Sequence, residues 1–320
     1  MVSKRAIAGT AIRTFKSVDL EPVVGLINAC YEADGIQLRA TAETFMSQAR
    51  DAAEQPERHY LVAEADGQPV AFSDLMREAG TRLVSRVWIH PDWRSGDVGR
   101  LLVERRLEQA SSFDEQVLDI PVRPAQRYKA VLLEGMGFRH VRTWWLMRID
   151  LTQNLPWAET PPGFSLRTAV AGQDDEMLTA LMNDTFSEHW GEGEHSLEQI
   201  RHDLALPWFD PRLLAFAETE GQAVGYVWSW VGLEQRASPG GACAHIGDLG
   251  VRAAYRRRGL GRALLMRALA DLKARGMGAA ELEVDGPNAN AKHLYESVGF
   301  KEHVELRWYR KQFRSEASAG

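Results

Sequence analysis

The chain has 320 residues, a formal net charge of −6 and two cysteines, Cys30 and Cys243. The length suggests two domains, each able to bury its own core, and the acidic balance excludes bulk nucleic-acid binding, which wants a basic face. Two cysteines in different halves exclude a disulfide framework or cysteine metal cluster, and no run is apolar enough for a signal peptide or membrane span, so a cytoplasmic setting is expected with no metal.

In the first half, residues 60–71 read as a β-hairpin turning at Gly67-Gln68. A linker at 151–163 carries Pro156, Pro161 and Pro162 and divides the chain into domains at 10–150 and 164–313. The second half opens with a strand near 164–168 and a helix near 174–186, with Asp174 as its N-cap. Another helix starts after Ser196 and ends before Pro207. A hairpin turning at Gly221-Gln222 and a strand at 244–251 follow. A helix at 259–275 then puts Leu260, Leu264, Leu265, Ala268, Leu269 and Leu272 on one face and stops at Gly276. A strand at 280–284, a short helix after Asn288 stopped by Gly299, and terminal strands complete the order. This order predicts an α/β (α+β) fold with mixed sheets and helices on both faces.

The halves echo each other. Residues 60–71 match 214–225, 87–94 match 249–256, and 132–138 match 294–300. Gly99 and Gly261 are related by the same offset of 162 residues as Phe138 and Phe300. The chain therefore reads as two copies of one fold.

The second copy carries the stronger chemistry. Arg256-Arg257-Arg258-Gly259-Leu260-Gly261-Arg262 lies between a strand and an apolar helix. Glycines let the backbone approach an anion, a helix N-terminus adds partial positive charge, and arginines add full charge, so the segment suits a pyrophosphate. It is neither G-x-G-x-x-G nor a P-loop. Downstream, Asn288 through Phe300 reads N-x-x-A-x-x-L-Y-x-x-x-G-F. Together, in this order, the two motifs resemble those of the GNAT superfamily of N-acetyltransferases.

The resemblance implies two tandem GNAT-like acyl-CoA acyltransferase domains and acetyl-CoA as co-substrate. Arg256 to Gly261, with Arg262, would hold the CoA pyrophosphate. Leu249, Gly250 and Val251 would pair with the pantetheine arm, and Asn288 would contact it. Tyr295 would protonate the departing thiolate, a role that suits a phenol neutral at pH 7. His245 stands where the family commonly has a glutamate base, and it can accept a proton near neutral pH. Asp248 is an alternative base, which strand alternation puts on the opposite face from His245. Cys243 shares the face of His245. Glu188, His189 and Trp190, in an acidic loop between two helices, would wall the acceptor site.

The first copy is expected to be non-catalytic. It reads Arg94-Ser95-Gly96-Asp97-Val98-Gly99, with a carboxylate where Gly259 stands, and Leu83, Gln126 and Leu133 where the second copy has His245, Asn288 and Tyr295. A tandem chain with one degenerate copy resembles members of the superfamily that acetylate the cysteinyl amine of a glucosaminyl-inositol conjugate. The expected partner is a small-molecule amine, with no nucleic acid and no membrane, and the protein a monomer or homodimer. A non-catalytic acyl-CoA-binding module and a protein or peptide N-acetyltransferase are the alternatives.

Overall fold

The structure, a computed structural model, describes residues 10–36, 38–47, 59–78, 82–156, 159–170, 172–187, 190, 193–206, 209–231 and 242–312. Positive φ at Asp66 and Gly67 (51° and 76°) recurs at Glu220 and Gly221 (51° and 76°). Each pair makes a two-residue hairpin turn whose twist matches the flanking strands. The turns thus lie one residue before the Gly-Gln positions read from the sequence, because two successive residues must take left-handed conformations and only the glycine does so without cost.

Two compact units result, Met1–Thr143 with Leu306–Gly320 and Trp144–Glu305. The first half of the chain forms β1 (Thr10–Thr14), α1 (Leu20–Ala33), α2 (Ala42–Ser47), β2 (Tyr60–Ala65), β3 (Gln68–Asp74), β4 (Met76–Glu78), β5 (Arg82–Val84), β6 (Val87–Ile89), α3 (Val98–Ala110), β7 (Val117–Val122), α4 (Arg127–Gly135) and β8 (Arg139–Asp150). The second forms β9 (Ser165–Thr168), α5 (Asp175–Phe186), α6 (Leu197–Leu204), β10 (Leu214–Thr219), β11 (Gln222–Val231), β12 (Cys243–Val251), α7 (Leu260–Ala274), β13 (Ala279–Asp285), α8 (Ala289–Val298) and β14 (Lys301–Gln312).

In unit 1, β1, β2, β3 and β6 form an antiparallel sheet. β5 pairs with β4 and, in parallel, with β7. The other edge of β7 takes β14, from Arg307↔Val122 to Gln312↔Val117. In unit 2, β9, β10, β11 and β12 are antiparallel neighbours, β13 joins β12 in parallel, and β8 closes the run antiparallel to β13 from Asp285↔Trp144 to Ala279↔Asp150. Each unit is therefore completed by a strand from the other end of the repeat.

Local devices repeat with the fold. Arg13 bonds Asp19 and Glu64, and Arg167 bonds Asp174 and Glu218. Asp174 does sit at the N-cap of α5, but its carboxylate receives Arg167 and the Val170 N–H at 2.7 Å instead of capping the helix. Asn28 clips Ala40 through two hydrogen bonds of 3.0 and 2.8 Å, and Asn183 clips His195 with the same two lengths. Ser196 and Gln199 form a capping box at the start of α6, as the sequence pattern requires.

The core of unit 2 lies on both faces of its sheet. Leu264, Leu265, Leu269 and Leu272 of α7 are fully buried against one face with Ala244, Ile246, Leu282 and Val284. Leu178 and Leu181 of α5 and Ile200 of α6 cover Tyr226 and Trp228 on the other. Each such leucine contributes about 1.5–3 kcal/mol relative to exposure. Among the described residues, no helix is long and apolar enough to cross a membrane, and no cluster of His, Cys, Asp and Glu is placed to hold a metal.

Candidate active site

β12 carries the site because of one extra residue. Ser229 pairs with Ile246 and Trp228 pairs with Asp248, so Gly247 has no partner on β11 and forms a bulge. Glycine is required there: a Cβ would overlap the Trp230 ring. Trp228 and Trp230 belong to the face covered by α5 and α6, and their partners are Asp248 and His245. The bulge therefore overturns the expectation from strict alternation: Asp248 and His245 share a face. Glycines inside a strand were the available sequence signal.

His245 is half-buried and lies against Trp230 at 4.8 Å between ring centroids. Its neighbour on β13 is Glu281, whose own neighbour on β8 is Arg148. Glu281 is 1% exposed and accepts a bond of 3.1 Å from Arg148. Trp230, His245, Glu281 and Arg148 thus form a row across four strands. Cys243 is buried, and its thiol donates to the Ala244 carbonyl at 3.6 Å.

Beyond Ile246↔Leu282 the pairing of β12 with β13 ends, although both strands continue. Leu249, Gly250 and Val251 pair with Val227, Tyr226 and Gly225 on one side only, leaving backbone groups toward the widening gap. Gly250 faces Thr185 and Tyr226, which a Cβ would strike. Leu249 and Val251 turn toward the core on the α7 side.

After β12 the chain makes a short 3-10 turn at 253–255 and then the arginine-glycine segment. Arg257 and Gly259 are left-handed, with φ of 60° and 86°. Arg256, Arg257, Arg258 and Gly259 are exposed, while Leu260 is buried and offers only its backbone. Arg256 Nε donates to the Val251 carbonyl at 2.9 Å, the Arg258 guanidinium lies 5.4 Å from the Tyr255 ring centre, and Arg262 donates to Ser297 Oγ at 3.0 Å. The two glycines do different work. Gly259 supplies the backbone twist before α7, and Gly261 lets Leu294 of α8 pack closely, since a Cβ there would lie 3.3 Å from it. In unit 1 the matching stretch, Arg94 to Asp97, has no residue at positive φ, and Asp97 is right-handed at φ −83°. Gly99 survives because Ile89 and Leu132 press on it.

Asn288 caps α8, accepting the Ala291 N–H at 3.1 Å. On that helix Tyr295 is 8% exposed and packs 5.9 Å from Phe300. Burial, with Asp248 nearby, pushes its hydroxyl up to about 12, so the phenol stays protonated across the neutral range. Trp190 makes an edge contact with Trp144 at 6.0 Å, whereas Glu188 and His189 lie outside the described residues.

Residues 176–300 match the acetyltransferase (GNAT) family, and residues 56–140 match the acetyltransferase (GNAT) domain. A protein of Thermobispora bispora named mycothiol acetyltransferase is 33% identical over 285 residues, covering 88% of this chain and 92% of its own. The chain belongs to the GNAT acetyltransferase family. It is a tandem GNAT N-acetyltransferase of mycothiol-synthase-like type. Among solved structures, a GCN5-related N-acetyltransferase from Sphaerobacter thermophilus superimposes with a TM-score of 0.77 at 26% identity, covering 96% of each chain. A tandem GNAT protein from the clavulanic acid biosynthesis pathway shares the fold at a TM-score of 0.69 and 17% identity, covering 96% of this chain and 99% of that one.

Proposed function

We propose that this N-acetyltransferase takes its acetyl group from acetyl-CoA and transfers it, in the second unit alone, to the primary amine of a small molecule. The cysteinyl amine of a glucosaminyl-inositol is the favoured acceptor, in keeping with relatives named mycothiol acetyltransferase. The observation that carries the reading is the asymmetry of the two cradles. Unit 2 combines left-handed Arg257 and Gly259, exposed arginines and a splayed β12, and the matching stretch of unit 1 has no left-handed residue.

In this reading the first turn of α7 and Arg256, Arg257, Arg258 and Arg262 receive the pyrophosphate. Leu249 to Val251 pair with the pantetheine arm as an added strand does, and Asn288 contacts it. The amine nitrogen attacks the thioester carbonyl carbon, the carbon–sulfur bond breaks, and the thiolate takes the proton of Tyr295. His245 accepts the proton lost by the ammonium, with Asp248 on the same face as the competing base.

The test is thiol release from acetyl-CoA across a panel of amines that includes the cysteinyl glucosaminyl-inositol, with Tyr295→Phe as control. Release with one amine class, lost in the variant, supports the reading. Binding of acetyl-CoA without release for any amine overturns it.

A further inference from the structure

Unit 1 holds a buried charged cluster that acyl transfer does not use. Cys30 and Asp34 come from the end of α1, Arg94 from the turn before α3, and Gln126, Tyr128 and Lys129 from the start of α4. Both oxygens of Asp34 are engaged, Oδ1 by Arg94 at 2.8 Å and Oδ2 by the Gln126 amide at 3.0 Å. Gln126 Oε1 accepts from Lys129 at 3.2 Å and from the Arg123 N–H at 3.1 Å. Arg94 lies 4.1 Å over the Tyr128 ring, and its Nε donates to the Ile89 carbonyl, which also takes the Cys30 thiol.

Donors outnumber acceptors here. Lys129 is 4% exposed, and its ammonium has three protons and, among the described residues, one acceptor. Arg94 Nη2 and the Tyr128 hydroxyl are buried with no hydrogen-bond partner. Two cations, Arg94 and Lys129, face one carboxylate, so a positive charge is left over where water is scarce. Buried charge is retained only when matched. The first turn of α4 deepens the imbalance, since it holds Arg127 and Lys129 and no acid, against the helix dipole.

We infer that this cluster binds a small oxyanion, a carboxylate or phosphate group, received by Lys129, Arg94 and Tyr128. A guanidinium edge and an ammonium are the donors that suit such a group, and the phenol adds a neutral one. Arg94 and Tyr128 reach the surface with part of their side chains, but their free donor atoms are buried, so the ligand enters by displacing side chains at this edge. The site is specific to the first copy. In the repeat, Arg256 stands for Arg94 but is exposed, and Asn290 and Ala291 stand for Tyr128 and Lys129. Burial lowers Lys129 to about 8, with Asp34, Cys30, Arg94 and Arg123 the charged or titratable groups around it. Cys30 is pushed up to about 11 and stays a thiol. Affinity therefore falls above pH 8 as the ammonium loses its proton.

The test is thermal melting of the full chain in inorganic phosphate or acetate against chloride at matched ionic strength, for wild type, Lys129→Met and Tyr128→Phe. A rise in melting temperature with either oxyanion, lost in Lys129→Met and weakened at pH 9, is expected, and which anion acts tells phosphate from carboxylate. Tyr128→Phe, which keeps the ring, should bind about tenfold more weakly for one lost hydrogen bond to a charged group. No oxyanion-specific rise in wild type overturns the site. So does an equal rise in Lys129→Met or, should that variant fail to fold, unchanged affinity in Tyr128→Phe.

Discussion

His245 and Asp248 are three residues apart on β12 yet present their side chains to one face of it. An odd spacing in a regular strand separates faces, and the bulge at Gly247 cancels the separation. Both proton acceptors of the proposed reaction thereby stand on the same side as Trp230.

Gly247→Ala tests the bulge. The new methyl must push the Trp230 ring away, and with it the surface His245 rests on. Destabilisation of about 1–3 kcal/mol is expected from overpacking, measured by urea denaturation, together with loss of turnover. A stable and fully active variant would show that the ring has room to move.

His245→Ala should remove the neutral-pH limb of the kcat/KM profile. If the limb survives there and disappears in Asp248→Asn, the carboxylate is the base.

Tyr295→Phe should lower kcat by about a hundredfold or more, in line with loss of a general acid, while acetyl-CoA affinity holds. Because burial raises the phenol to about 12, the wild-type rate should show no loss from its ionisation below pH 10. Full activity in the variant would remove Tyr295 from the reaction.

Gly259→Asp should abolish acetyl-CoA binding by calorimetry, since it places a carboxylate at the cradle and forces a side chain into φ 86°. Asp97→Gly in the first copy should leave binding unchanged. Equal effects would end the asymmetry between copies.

The depressed Lys129 makes unit 1 gain stability in mild alkali. Between about 8 and the ordinary lysine value of 10.5 the unfolded chain binds the proton that the folded one has released, so folding is favoured as pH rises through that window. Melting curves from pH 8 to 9.5, without oxyanions, should show a steeper rise for wild type than for Lys129→Met.

Much of this was legible in the chain. α7 and α8 follow from apolar spacing, Asn288 and Gly299 mark the ends of α8, and the constant offset between copies exposes the repeat. The only mark of the bulge was the pair of glycines inside β12, Gly247 and Gly250, which does not say where the register shifts. The shared face of His245 and Asp248 was therefore read the wrong way. The unit 1 cluster was not legible, because its members Cys30, Arg94 and Lys129 meet only when α1, the turn before α3, and α4 pack. Periodicity also names strands without naming their neighbours, so the destinations of β8 and β14 were hidden.

Those destinations govern the order in which the protein matures on the ribosome. Asp119 of β7 is fully buried, and its carboxylate is bonded by Arg82 and, through two bonds of 2.7 Å, by Arg310 of β14. Tyr309 fills the same unit's core. The N-terminal copy, although synthesised first, thus waits for β14, made after the other strands of the second copy, before its sheet and its buried carboxylate are complete. Domains ordinarily fold as they appear, N-terminal first. Here a nascent chain released just short of Leu306 would lack the strand that pairs with β7 and the Arg310 partner of Asp119, while the antiparallel sheet of β1, β2, β3 and β6 would already be complete in sequence.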